Sequence, residues 1–231
     1  MRKLLAAFLI AGTAVAGPAI AADLAPYYPP VIDIPEYPDV DHGVSGGLYL
    51  RGSVAGGLWW ARDAECVCGV VSIDRHGYGY SVGGGIGYDS GHGIRADVTL
   101  DYLSYTGLRG TNGDTANLRS GLALANLYYD FNFSEGGYGA GGLGGYVGAG
   151  IGGTYNYSEV LTGGTVWSSG NSIEAAAAVM AGVSYDFGSY VADVGYRGIY
   201  MSKVMNPGPA PIYTINDNFI HEVRTTLRYR F

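Results

Sequence analysis

Basic charge is scarce in this chain. Lys and Arg number 13 against 20 Asp and Glu in 231 residues, and only 14% of the residues carry a charge. An acidic chain lacks the basic patches that nucleic acid requires, so a nucleic-acid partner is excluded. Long apolar runs are scarce as well: past the N-terminal stretch, none approaches the ~18 residues a membrane helix needs. Cysteine occurs only as Cys66 and Cys68, which leaves a structural zinc site without its second ligand pair. No cofactor is expected, because the glycine-rich stretches at 83–85 and 141–145 lack the strand-loop-helix setting and the lysine of a phosphate cradle. A Ser/His/Asp constellation is missing too, and Asp97 and Asp101, on one face of one strand, stand roughly 13 Å apart, too far for shared acid–base work. The chain is therefore not expected to be an enzyme.

What is abundant is glycine, with 40 residues, and tyrosine, with 21. Glycine disfavours helix interiors, and tyrosine favours strands and membrane interfaces. The N-terminus explains where such a chain would go. Arg2 and Lys3 precede an apolar stretch from Leu4 to Val15, and Ala19-Ile20-Ala21 supplies a small-residue cleavage site. Residues 1–21 read as a secretory signal peptide. Residues 22–45 hold Pro26, Pro29, Pro30, Pro35 and Pro38 and read as an extended periplasmic arm.

From residue 46 to 231 the apolar residues recur at period two, the mark of strands. Eight strands are predicted, at about 46–60, 77–88, 94–105, 118–131, 143–155, 172–186, 190–200 and 219–231. In the third, Ile94, Ala96, Val98, Leu100 and Tyr102 oppose Arg95, Asp97, Thr99 and Asp101. The fourth changes parity between Leu124 and Leu127, which predicts a bulge near Ala125. In the last, His221, Val223, Thr225, Leu227, Tyr229 and Phe231 oppose Glu222, Arg224, Thr226, Arg228 and Arg230. Short connections at about 89–93 and 187–189 and an intermediate one at 132–142 alternate with longer ones at about 61–76, 106–117, 156–171 and 201–217. That rhythm is the one of an all-β, eight-stranded, antiparallel up-and-down transmembrane barrel. Aromatics collect at both predicted boundaries, Trp59 and Trp60 among them, as interfacial anchoring requires.

Such a barrel turns its apolar row to lipid and its polar row to the lumen. The predicted lumen then holds Arg51, Arg95, Arg197, Arg224, Arg228 and Arg230 against Asp97, Asp101, Glu174, Asp193 and Glu222. Interior charges must pair or stay hydrated, and eight strands leave an interior just wide enough for side chains. A lumen-filling ion-pair network is therefore expected, with a narrow ion or small-solute path as the alternative. Cys66 and Cys68 fall in the first long connection, where an oxidising compartment permits a bridge between them or an intermolecular bond.

From about residue 44 onward the chain resembles the small Gram-negative outer-membrane β-barrel family. That family includes the membrane domain of outer membrane protein A and the short "porin family" proteins. The resemblance rests on the signal peptide, the Leu48-Tyr49-Leu50 opening, the segment from Asn126 to Phe131, the segment from Tyr146 to Gly150, and the terminal Phe231. It implies an outer-membrane location, a lipid environment, and recognition of Leu227, Tyr229 and Phe231 by the barrel-assembly machinery. It also implies a structural role with four surface loops, through which an extracellular ligand could bind. The resemblance to outer membrane protein A covers its membrane domain and not its soluble peptidoglycan-binding domain, so cell-wall tethering is not expected from it.

Overall fold

The computed structural model describes residues 46–66, 69–133, 141–206 and 213–231. The signal peptide, the proline-rich arm and Cys68 lie outside them. The described chain is strand almost throughout: β1 (Gly47–Cys66), β2 (Gly69–Arg75), β3 (Gly77–Asp89), β4 (Ile94–Gly110), β5 (Thr115–Asn132), β6 (Gly142–Thr162), β7 (Thr165–Asp186), β8 (Tyr190–Asn206) and β9 (Tyr213–Arg230). Each strand of the wall pairs antiparallel with the next, and β1 also pairs with β9, from Tyr49↔Arg230 up to Cys66↔Tyr213. Eight strands thus close a ring. β2 is the ninth, a short return strand that pairs with the tops of β1 and β4.

The ninth strand corrects the sequence reading, which left 61–76 as a loop. The other long connections are corrected as well. The segment at 106–117 is strand apart from the turn at 111–114, and 156–171 is strand apart from Gly163 and Gly164. Both glycines have positive φ, 59° and 86°, the conformation a two-residue hairpin turn demands. The wall therefore continues past the apolar belt as paired hairpins, because a paired strand satisfies its own backbone groups where an open loop cannot.

The bulge expected near Ala125 is absent. β5 keeps unbroken register with β6 from Thr115↔Leu161 to Asn132↔Gly144. Leu122 and Leu124 are simply inside, each 1% exposed, while Leu127 and Tyr129 are outside. Leucines occupy both faces of this strand because its upper interior is apolar. Trp59 is corrected for the same reason. It is fully buried and donates from Nε1 to Asn218 Oδ1 at 3.0 Å, whereas Trp60 faces outward against Phe219.

The glycines and tyrosines are coupled. Interior-facing Gly87, Gly148 and Gly182 each leave room that a Cβ would deny to the ring of Tyr49, Tyr128 or Tyr146 on a neighbouring strand. A small-diameter ring can hold large interior side chains only if their neighbours give way. That steric exchange accounts for much of the composition.

Outside, the wall is apolar: Leu50, Val54, Val82, Val98, Ile151, Val179 and Val223 are all exposed, at 47–73%. Among the described residues no helix is long and apolar enough to cross a membrane, and strands are what carry this belt. Val98 sits near its middle, cross-strand from Ile86 and Ala125. In lipid vesicles, Val98→Arg is expected to lose about 2–4 kcal/mol of unfolding free energy. Val70→Arg, on β2 beyond the belt, should lose almost none. Equal losses in urea titrations would mean that no hydrocarbon surrounds Val98. Ser81 faces the other way, its Oγ accepting from Arg197 at 3.2 Å inside the barrel.

Candidate functional site: the barrel interior

The inward rows of β1, β4, β5, β8 and β9 place charged side chains in the half of the barrel nearest the chain's ends. Period-two alternation does this without any special backbone device. At the bottom, Arg95 grips Asp130 with two hydrogen bonds, Nε to Oδ2 at 2.8 Å and Nη2 to Oδ1 at 2.9 Å. Its guanidinium lies over the Tyr128 ring, 4.0 Å from the centroid. Arg51 meets Asp97 at 2.7 Å and donates to Tyr128 Oη at 2.7 Å. Asp97 is further held by Tyr49 Oη and by Asn126 Nδ2, both at 2.8 Å.

One layer higher, Arg197 is completely buried between Asp101 at 2.8 Å and Glu222 at 2.7 Å. Asp101 also takes Arg224 at 3.3 Å, and Glu222 accepts from Tyr105 Oη at 2.9 Å. Arg228 lies 3.5 Å from Asp193 and 3.8 Å from Asp130. At the rim, Arg230 contacts Asp186. These buried groups come in opposite signs, with charge-assisted hydrogen bonds between them, which is what desolvated ions require.

Ten of the eleven charges read from the sequence as lumenal thus have a partner of opposite sign, Arg230 in a separate pair with Asp186. Glu174 stands apart: it lies higher, on β7, has no ion pair among the described residues, and its Oε1 has no hydrogen-bond partner. Sequence reasoning missed Asp130, Asp186 and the tyrosines. Asp130 has the same parity as Asn126 and Tyr128 and opposes Leu127, Tyr129 and Phe131. The supposed bulge obscured that. Sequence patterning assigned the interior tyrosines no part in the network, yet Tyr49, Tyr105, Tyr128 and Tyr146 point inward and are at most 6% exposed.

Above the charged layers the lumen turns apolar. Leu103, Leu122, Leu124, Ile199, Met201 and Ile220 are each at most 1% exposed and belong to one packed cluster. An ionic region and a largely uncharged one, in which Ser120, Asn156 and Asn218 are buried beside the apolar cluster, therefore divide the barrel interior. Elsewhere in the ring, Leu227, Tyr229 and Phe231 line the outer face of β9 at its end, where Tyr229 packs on Tyr190 and on Phe231. Cys66 ends β1 and is disulfide-bonded. Among the described residues no group of three His, Cys, Asp or Glu side chains could hold a metal.

No protein-family model matches the chain. Uncharacterized proteins of Brucella abortus, Brucella suis and Brucella melitensis are 29% identical to it, across 92% of this chain and 93% of theirs. Solved structures that it resembles are outer-membrane β-barrel proteins. Neisserial surface protein A is 22% identical with a TM-score of 0.49, over 80% of this chain and 97% of that one. The outer membrane protein OprG from Pseudomonas aeruginosa is 13% identical with a TM-score of 0.46, over 80% and 97%. The attachment invasion locus protein Ail of Yersinia pestis is 12% identical with a TM-score of 0.43, over 80% and 99%.

Proposed function

We propose that this chain is a structural barrel of the Gram-negative outer membrane, closed to solutes and presenting its long hairpins outside the cell. One observation carries the reading: the wall is apolar outside while the inside is filled by paired charges and packed hydrocarbon. A soluble barrel would be built the other way round. In a bilayer every backbone polar group must be satisfied within the protein, and a ring of paired strands does so. The short connections and both ends of the ring then lie on the periplasmic side, and lipid surrounds the belt.

The filled interior favours a closed barrel over a conducting one. An ion would have to separate Arg197 from Asp101 and Glu222 and then pass the packed Leu, Ile and Met side chains beyond them. The reading includes no catalytic step, and assigns Leu227, Tyr229 and Phe231 to the assembly machinery as the signal for insertion. The hairpins beyond the belt are the part available to an extracellular partner.

Two measurements test this. Purified outer membranes should contain the chain as a heat-modifiable band, faster before boiling than after. In planar bilayers the refolded chain should show no discrete conductance steps. A soluble periplasmic protein of unchanged mobility would sink the membrane reading. Regular single-channel steps would sink the closed-barrel reading alone.

A further inference from the structure

Seven of the ten arginines in the described residues have an acidic partner: Arg51, Arg62, Arg95, Arg197, Arg224, Arg228 and Arg230. The other three, Arg75, Arg109 and Arg119, have no ion pair among the described residues, and all three are exposed. They lie on adjoining strands, β2, β4 and β5, on the outer surface and toward the long-hairpin end. Arg75 and Arg109 are direct cross-strand partners. Two like charges placed opposite each other destabilise a sheet unless an anion lies between them.

Their outward direction is not what strand alternation would give. On β4, Leu103 and Tyr105 face inward, so simple alternation would send Arg109 inward too. An extra residue at Gly107, with φ 84°, shifts the register between Tyr105 and Leu108 and turns Arg109 out. On β2, Val71 and Ile73 face the core, and an extra residue at Asp74 turns Arg75 out in the same way. Bulges re-aim side chains at barrel rims and functional sites. Here two neighbouring bulges bring two arginines to one spot. The acidic groups nearby do not neutralise them. Asp74 is exposed beside Arg75 without forming an ion pair, and Glu159 accepts instead from Tyr157 Oη at 3.0 Å.

Beneath Arg119 the outer wall is hollowed. Arg119, Gly121 and Ala123 follow one another on the outer face of β5, and Gly121 has open space where a side chain would stand. Gly121, Ala123 and Gly153 floor an apolar groove of about 720 Å³, between Leu100 and Tyr102 on one side and Tyr155 and Ile173 on the other. Tyr102, Gly121, Tyr155 and Ile173 are successive cross-strand partners. Arg119 stands two residues beyond that row, roughly 7 Å along the strand, and the Arg75–Arg109 pair a further ~13 Å.

Resting on the outer-membrane reading, we propose that this face binds one molecule of a phosphorylated glycolipid of the outer leaflet. The groove takes an acyl chain, Arg119 takes a phosphate at the interface, and Arg75 with Arg109 takes an anionic group of the sugar head above it. The spacing selects the class of ligand. A glycerophospholipid carries its phosphate at the interface and has nothing to offer arginines ~13 Å higher. A tall, multiply anionic sugar head reaches both levels.

The test uses the full chain refolded into phosphatidylcholine nanodiscs and shown to be heat-modifiable. Bound lipid is read by native mass spectrometry after titration with core-bearing lipopolysaccharide, its dephosphorylated form, phosphatidylglycerol or inorganic phosphate. Wild type should hold phosphorylated lipopolysaccharide about tenfold more tightly than phosphatidylglycerol. R75A/R109A should weaken lipopolysaccharide binding about tenfold and leave phosphatidylglycerol nearly unchanged. R119A and Gly121→Trp should weaken both lipids. Dephosphorylated lipopolysaccharide should bind wild type no better than R75A/R109A binds the intact form. Equal lipopolysaccharide affinity for wild type and R75A/R109A would overturn the proposal, as would phosphatidylglycerol binding as tightly as lipopolysaccharide. Inorganic phosphate that competes at the same affinity would show a soluble-anion site instead. These outcomes, in an inserted barrel, leave the outer-membrane reading intact, whereas a chain that never becomes heat-modifiable would overturn both.

Discussion

Arg197→Met should lower the unfolding free energy of the barrel in lipid vesicles by about 3–5 kcal/mol. The reason lies in what remains. Arg197 is fully buried and is the shared partner of Asp101 and Glu222. Without it, Asp101 keeps only Arg224 at 3.3 Å, and Glu222 keeps only the Tyr105 hydroxyl. A carboxylate stranded in a water-poor interior costs more than the pair ever contributed, because desolvation is then uncompensated. Arg62→Met is the matched control. Its partners Asp63 and Asp217 are near the surface and its own side chain is 64% exposed, so about 1 kcal/mol or less is at stake. Adding Glu222→Gln to Arg197→Met should recover part of the loss. Urea titration of the four refolded proteins decides it: a loss for Arg197→Met as small as for Arg62→Met would show that water reaches this layer.

The second large effect concerns assembly. Deleting Phe231, or replacing it with Asp, should reduce the amount of barrel in outer membranes severalfold while changing the stability of already folded barrels little. Phe231 is 72% exposed to the surroundings, and its ring packs edge-on to Tyr229, centroids 5.1 Å apart. Its backbone N donates to Leu48 O at 3.1 Å. One interfacial aromatic contributes about 1–3 kcal/mol, and the β1–β9 pairing is long enough to persist without it. Insertion has no such reserve if the end of β9 is what the machinery reads. Outer-membrane yield in cells and urea stability in vesicles must be measured on the same variant. Unchanged yield would reduce Leu227, Tyr229 and Phe231 to ordinary members of the outer wall.

The wall was legible because one strong periodicity, apolar out and polar in, runs from Ile94 to Tyr102 on β4 and from His221 to Arg230 on β9. It blurred where the interior itself became apolar. Leu122 and Leu124 on β5 face the same hydrocarbon layer as Leu103 on β4, so the inner and outer rows of that strand look alike. A bulge was the natural but mistaken reading. β2 escaped notice for a related reason: Val70, Val71 and Ile73 are too few to show a period. The charges of the lumen were legible from parity alone, but their pairing was not. Arg197 and Asp101 are 96 residues apart, and only closure of the ring places them side by side. The bulges that turn Arg75 and Arg109 outward leave only a faint trace, a glycine at 107 and one residue too many at 74.

The joint between β1 and β9 differs from every other joint in the wall. Neighbouring strands elsewhere are also neighbours in sequence, whereas Tyr49 pairs with Arg230 from the opposite end of the ring. Bringing such distant residues together carries an entropy cost that grows only as the logarithm of the intervening length. Failing to do so leaves two rows of unpaired amides in hydrocarbon, each costing several kcal/mol. The joint also carries interior contacts, Arg224 to Ser53 at 2.5 Å and Trp59 to Asn218 at 3.0 Å. A half-open ring is therefore worse than either the closed one or a chain that has left the bilayer core. Melting of this molecule in a bilayer is therefore expected to be all-or-none for a topological reason, with no strand holding a stability of its own.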